Sequence, residues 1–415
     1  MIHKNYFAFV VLTLISFNAA GFPAQQQEGL TLEKAIARAL IRNPEVLTAQ
    51  AEVEASRGRS LQFSARPDAQ IVAGVEGVPL PGLKNNSSEI EISLSFEQPF
   101  EFPGKRSLRM QIGQFGIRLA EAELERIKLI VAAKVKKAYW QTTFAKSAAL
   151  ALEKSSTRLD LLLADLEAKY RSGSAAYADI LRVRAEKARL RNQILEQENE
   201  QRGTGLELND LLARQADEPV VLMTEMPFLP LSADLKSIQE IARSSRPSQK
   251  ITALRKDRAA ASLKLARLDS NPDFLAGFSL PSVRSEAWGI SFGLTLPFLQ
   301  PGRTRGLKLE AFAGAEIACL SAATQDRRIL SALASAYASV KTAEEQVKVF
   351  EQSLLRELED ELHIQVEYFR YGKVDFYNLL DLHRTYVLAE LDHLRAVLIF
   401  NLALADLEVA GEELP

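Results

Sequence analysis

Glu89-Ile90-Glu91-Ile92-Ser93-Leu94-Ser95-Phe96-Glu97 runs into Gln98-Pro99-Phe100-Glu101-Phe102-Pro103-Gly104-Lys105-Arg106, and this stretch decides the fold. Every even position from 90 to 96 is apolar and every odd one polar, the period of two that marks a strand with two unlike faces. Pro103-Gly104 ends that pattern. From Gly104 to Tyr170 the apolar residues fall at helical spacing for about 67 residues without a proline. At 1.5 Å per residue such a helix is roughly 100 Å long, far more than a globular domain uses.

The same statement is made again about 198 to 203 residues later. Leu296-Pro297-Phe298 with Pro301-Gly302-Arg303 repeats Gln98-Pro99-Phe100 with Pro103-Gly104-Lys105, and Trp288, Ile290, Phe292 and Leu294 alternate with Gly289, Ser291 and Gly293. Thr31-Leu32 with Asn43-Pro44 recurs as Asp234-Leu235 with Arg246-Pro247, and Ala138-Tyr139 as Ala336-Tyr337. Tyr170-Arg171-Ser172-Gly173 leading to Asp179-Ile180-Leu181 recurs as Phe369-Arg370-Tyr371-Gly372 leading to Asn378-Leu379-Leu380. Anchors in one order at nearly one offset imply a duplicated unit that packs on its own repeat.

The expected organisation is therefore a first repeat over residues 30–215, a linker over 216–231 and a second repeat over 232–410. Strands are expected near 70–78 and 89–98, and near 274–280 and 287–296, with long helices near 104–170 and 302–369. Each long helix ends near a glycine, Gly173 or Gly372, and a further helix starts within a few residues, which gives an antiparallel helical hairpin. The fold class is mainly α with a small β part.

Two alternating strand pairs in one chain can form an ordinary half-buried sheet. Against that, four strands leave open edges, which a barrel closed by several chains removes. In that arrangement Ile90, Ile92, Leu94, Phe96, Trp288, Ile290, Phe292 and Leu294 face lipid and the intervening residues face a lumen. Past Gly21 no segment is apolar and long enough to span a bilayer as a helix. Residues 1–21 read as a secretory signal: His3-Lys4, the apolar run Phe7 to Phe17 and the small residues Ala19-Ala20-Gly21. No cysteine follows the run, so no lipid attachment is expected at the mature N-terminus.

A net charge of −2, with basic residues scattered among acids, gives no field for nucleic acid. The single cysteine, Cys319, supports neither a disulfide framework nor a thiolate metal site, and its place in a helical pattern reads as a small buried residue. No catalytic constellation, cofactor site or metal site is expected. His363, His383 and His393 are not at helical ligand spacing, and Pro103-Gly104-Lys105-Arg106-Ser107 lacks the upstream glycine and the Ser/Thr of a phosphate loop. Lys105, Arg106, Arg303 and Arg305 are expected at the interface where strand becomes helix. The hairpin turns are the functional candidates. Asp179 and Asp375 can serve as first-turn or capping acids, whereas Asp381 lies further in and, in several chains around one axis, would form an anionic ring.

On these residues the chain resembles the TolC-like outer-membrane efflux proteins over its mature length, and the Gln-Pro-Phe-Glu, Gly-Lys-Arg run is most similar to their heavy-metal (CzcC- and CusC-like) branch. The resemblance implies a homotrimer with one twelve-stranded outer-membrane barrel and a periplasmic helical barrel. It further implies docking on a periplasmic adaptor protein and, through it, on an inner-membrane transporter of the resistance-nodulation-division type. The duct would be passive, with heavy-metal cations as one substrate class. Tip motifs carrying Arg171, Gly173, Asp179, Arg370 and Gly372 match the adaptor-contact region, and Asn378 and Asp381 fall on the two gate positions, the first an asparagine here in place of an acid. A type I secretion duct shares all these features. A periplasmic coiled-coil scaffold shares the helices but has no use for the strands.

Overall fold

The structure, a computed structural model, describes residues 29–76, 91–222, 225–281, 287–351 and 354–411. The candidate signal over residues 1–21 and the strand residue Ile90 lie outside them. Each half has one element order. The first runs α1 (Leu32–Arg42), α2 (Pro44–Ser64), β1 (Gln70–Glu76), β2 (Glu91–Phe100), α3 (Lys105–Arg171) and α4 (Tyr177–Leu211). The second runs α5 (Leu235–Ser245), α6 (Pro247–Leu268), β3 (Phe274–Ser279), β4 (Gly289–Leu294), a 3-10 turn (Pro297–Leu299), α7 (Pro301–Glu351), α8 (Leu354–Arg370) and α9 (Phe376–Gly411). The architecture is mainly helical with one small sheet.

Local chemistry sets the breaks. Thr31 caps α1 by accepting from the Lys34 amide at 3.3 Å, and Asn43 ends α1 and caps α2, its Oδ1 accepting from the Glu45 amide at 2.9 Å. Pro44 follows at the first helical position, where its missing N–H costs nothing. Asn43 Nδ2 also donates to the Leu211 carbonyl at 2.9 Å, satisfying the end of α4. Arg246 does the same in the second half, its Nη2 donating to the Ala410 carbonyl at 2.6 Å at the end of α9. Gly104 has φ +97°, a left-handed conformation that turns the chain out of β2 and into α3.

The sheet has the order β1-β2-β3-β4, all neighbours antiparallel, so the two halves join through β2 and β3. Directly opposed residues share a face. Ile71, Ala73 and Val75 stand opposite Phe96, Leu94 and Ile92, Phe96 stands opposite Phe278, and Phe274, Ala276 and Phe278 stand opposite Leu294, Phe292 and Ile290. That face is apolar except for Gln98, which stands opposite Ala276. The other carries Gly74, Ser93, Ser95, Glu97, Gly277, Ser279, Gly289, Ser291 and Gly293, interrupted by Val72 and Leu275.

Helices α1, α3 and α4 enclose one core, with Ala35, Ala39, Val135, Ala138, Tyr139 and Leu208. Helices α5, α7 and α9 enclose its counterpart around Ile238, Leu333, Val340, Val397, Phe400 and Leu407. A third core lies where the two hairpins meet, built from Leu159, Leu162, Leu166, Ile180, Val183, Leu362, Phe369, Phe376 and Leu379. Among the described residues no helix is long and apolar enough to cross a membrane.

Two expectations need correction. Lys105 is not an interfacial side chain: it is 4% exposed, its Nζ donating to Asp273 Oδ1 at 2.7 Å and to the Asn271 carbonyl at 3.1 Å. The second half brings an acid to it, and the ion pair holds it inward. Cys319 is exposed rather than buried, on a stretch of α7 whose Ile317 and Leu320 are exposed as well.

Candidate functional site

Two regions carry the candidate residues. The first is the sheet. Ile92, Leu94, Phe96, Trp288, Ile290, Phe292 and Leu294 are all exposed, Phe292 by 83%, and Ile71, Val75 and Phe278 extend the same surface. So large an apolar face on a sheet backed by small and polar residues suits a surface covered by lipid or protein. Trp288 lies just outside β4, against Phe278 at 5.8 Å between ring centroids.

The second region is the tip formed by the turns α3–α4 and α8–α9. The two turns share one geometry. Gly173 has φ +75° and Gly372 φ +72°; the Gly173 amide donates to the Tyr170 carbonyl at 3.0 Å and Ser174 to Lys169 at 2.8 Å, and Gly372 donates to Phe369 at 3.0 Å and Lys373 to Tyr368 at 2.9 Å. This is a left-handed helix C-terminus of the Schellman type, which favours glycine. A side chain at either glycine would meet open space, so the restriction is backbone conformation alone.

The acids divide by role. Asp375 is a cap, its Oδ2 accepting from the Tyr377 amide at 3.1 Å, and Asp179 is a first-turn acid paired with Arg182 at 2.9 Å. Asn378 and Asp381 lie three residues apart on α9, both exposed and so on one helix face, and neither side chain has a partner among the described residues. Arg171 is exposed; Arg370 is held by Asp165 at 3.1 Å and Glu367 at 2.8 Å.

Beneath the tip lies a polar layer that the sequence reading did not single out. Glu186 on α4, 5% exposed, accepts from Arg384 Nε at 2.8 Å and Nη2 at 2.6 Å on α9. His383 Nε2 lies 2.9 Å from Ser155 Oγ on α3, and its Nδ1 is buried without a partner. Burial, opposed by the contact with Ser155 and reinforced by Arg158, pushes the His383 pKa down to about 4, so the ring is neutral near pH 7. Lys169 donates to the Phe369 carbonyl and sits 4.2 Å from the centre of that ring, and Arg158 lies 4.9 Å above Tyr386. The available signal was spacing. Glu186 stands in the series Ile180, Val183, Leu190 and Ile194, and His383 in the series Leu379, Tyr386 and Val387, each a polar residue in a buried stripe.

Among the described residues no cluster of histidine, cysteine, aspartate or glutamate could hold a metal ion. The arrangement offers a long wall, an apolar collar at one end and a charged tip at the other.

Residues 35–214 match the family model for outer membrane efflux proteins. No curated protein matches by sequence. Among solved structures, the outer membrane channel CmeC from Campylobacter jejuni is similar with a TM-score of 0.77 at 14% identity, over 98% of this chain and 94% of that one. The outer membrane protein VceC from Vibrio cholerae gives 0.76 at 18% identity, over 92% and 96%. CusC, which forms a transmembrane channel, gives 0.76 at 16% identity, over 92% and 91%. The chain thus resembles the TolC-like outer membrane efflux proteins, by sequence over residues 35–214 and by fold over nearly its whole length. The fold match to CusC is no stronger than those to the other two.

Proposed function

We propose that this protein is the outer-membrane exit duct of a tripartite efflux system. Three copies close their sheets into a twelve-stranded barrel and continue as a periplasmic helical tunnel, with the repeats at 30–215 and 232–410 as the two halves of each subunit's wall. The tips dock on a periplasmic adaptor protein and, through it, on an inner-membrane transporter of the resistance-nodulation-division type. Substrate passes through without chemistry. The observation that carries this reading is the sheet's exposed apolar face, interrupted only at Gln98 among the described residues, set at the end of helices roughly 100 Å long, beside two open strand edges.

Asp381 supports a cationic substrate class. Exposed and unpaired on α9, three symmetry-related copies near one axis make a narrow anionic constriction, which favours cations, heavy-metal ions among them. Gly173 and Gly372, with Arg171 and Arg370 beside them, form the adaptor-contact turns. The test is conductance and reversal potential of purified protein in planar bilayers under a salt gradient. Asp381→Asn is expected to reduce cation preference and Asn378→Asp to raise it. Unchanged selectivity in both would put Asp381 on the outer wall and remove the gate.

A further inference from the structure

Two sheet edges and one flank of α7 are unpartnered in the single chain. Among the described residues β1 and β4 each pair on one side only. Helix α3 packs on both α2 and α6, whereas its counterpart α7 packs on α6 and leaves Leu309, Phe312, Ile317 and Leu320 exposed. Within the chain the first repeat receives the second through β2 against β3 and α3 against α6. A second copy can receive the other side of the second repeat in the same manner, since its first repeat presents β1 and α2, the counterparts of β3 and α6.

We propose that β4 of one copy pairs antiparallel with β1 of the next, with Leu294 opposite Val75, and that Arg303 of the first copy meets Asp68 of the next where sheet passes into helix. This rests on the reading of the protein as a multi-copy duct and adds the contact that closes it. Pro297-Phe298 follow Pro99-Phe100 by 198 positions, so Leu294 is the counterpart of Phe96. Phe96 faces Ile71 and Leu294 faces Phe274, which makes Phe274 the counterpart of Ile71, an offset of 203 that Pro44 and Pro247 also show. Phe96 lies opposite Phe278 in the next repeat along. The same step taken from β4 sets Leu294 opposite Val75.

Two further facts agree with this register. If the strand is continued past Leu294, where the single chain has a 3-10 turn over Pro297–Leu299, Leu296 and Phe298 fall opposite Ala73 and Ile71, so these outer-face pairs join apolar residues, whereas a slip of one would set Leu294 against Gly74 or Glu76. Strand β2 runs to Phe100 because β3 pairs with its last residues, and β4 stops at Leu294, where the corresponding partner belongs to another copy. At the passage from sheet to helix the Lys105 Nζ is buried against the Asn271 carbonyl and Asp273 Oδ1, 4.0 Å from Asp269; its counterpart Arg303 is exposed, and the counterparts of Asn271, Asp273 and Asp269 are Asp68, Gln70 and Arg66, which leaves Asp68 as the one acid there. Neither Arg303 nor Asp68 has an ion-pair partner among the described residues, and closure supplies each with the other. The other ion pair between α3 and α6, Glu123 with Arg255 at 3.0 Å, has no ionic counterpart, because Ser321 and Glu52 stand at those positions.

The test uses full-length protein in outer membranes, with Cys319→Ser removing the native thiol. Leu294→Cys with Val75→Cys, oxidised by copper phenanthroline, should link chains into reducible dimers and trimers, and each single variant should not. Leu294→Cys with Ala73→Cys should link roughly tenfold less, since two residues along a strand displace the partner by about 7 Å, past disulfide reach. Arg303→Glu should lower the yield of oligomer, and Asp68→Arg added to it should restore that yield. Equal or stronger linkage in the shifted pair would overturn the register while oligomers persist and the duct reading stands. Failure of the charge exchange to restore assembly would overturn the Arg303–Asp68 contact. Absence of any oligomer would overturn the duct reading itself.

Discussion

The sheet and the helical tip are built from the same side chains put to opposite use. Ile92, Leu94, Phe96 and Phe292 stand outward on the sheet, while Leu166, Ile180, Leu379 and Phe369 are enclosed between the two hairpins. Placement of apolar residues follows the medium each region meets. The tip lies in water and must bury its leucines, whereas the sheet, in the proposed reading, meets hydrocarbon and has no reason to. Polar groups invert in the same way. Serines and glycines back the sheet, and the tip buries Glu186 and His383 among apolar neighbours, each with a polar contact to another helix.

The contrast can be broken most forcefully on the sheet. Arginine at Ile92 or Phe292 should cost about 2–4 kcal/mol near the bilayer midplane, and arginine at Ser93 or Ser291, on the opposite face, should be tolerated. The yield of assembled protein in outer membranes, from matched expression, measures this. Equal losses on the two faces would mean that the apolar surface is covered by something other than lipid.

At the tip the sharper probe is protons. His383 binds a proton less readily folded, at about 4, than unfolded, near 6.5, so the unfolded state holds more protons between those values and stability falls as pH drops through that window. The other charges around the ring are Arg158 from α3, Glu186 from α4 and Arg384 from α9. At 1.36 kcal/mol per unit the full loss is about 3 kcal/mol, complete near pH 4. Urea unfolding followed by circular dichroism at pH 7, 5.5 and 4.5 should show a steeper decline for the native chain than for His383→Gln. Parallel declines would assign the pH dependence to other groups.

The smallest effect belongs to the turns. Gly372→Ala places a side chain in a left-handed conformation at about 1–2 kcal/mol, with no clash to add. Hydrogen exchange at the α8–α9 turn should quicken while the sheet stays protected. Gly372→Asn should cost less, because asparagine tolerates that conformation. Indistinguishable exchange for both would show that the turn is not held in this geometry.

Much of this was legible in the sequence, for reasons that differ along the chain. Period-two alternation located β2 and β4 because each face meets one medium throughout, and proline and glycine marked where α2, α3 and α6 begin. The turn glycines were legible because their conformation admits few other residues. Lys105 and Cys319 were misread for one reason: burial depends on what packs from elsewhere, and Asp273 lies far along the chain from Lys105 while Cys319 falls on a stretch of α7 left exposed in the single chain. The Glu186–Arg384 and Ser155–His383 contacts join helices whose relative rotation no local pattern encodes. Spacing could flag those residues as oddly placed, not say whom they meet.

The clamps at Asn43 and Arg246 each span one half of the chain. Asn43 needs only the Leu211 carbonyl, so the first half can be tied shut when about half of the chain has been made. Arg246 must wait for Ala410, at the close of α9, before its own clamp can form. The earlier half is thus closed by residues of its own, and β2 is the edge through which β3, and β4 beyond it, join that half.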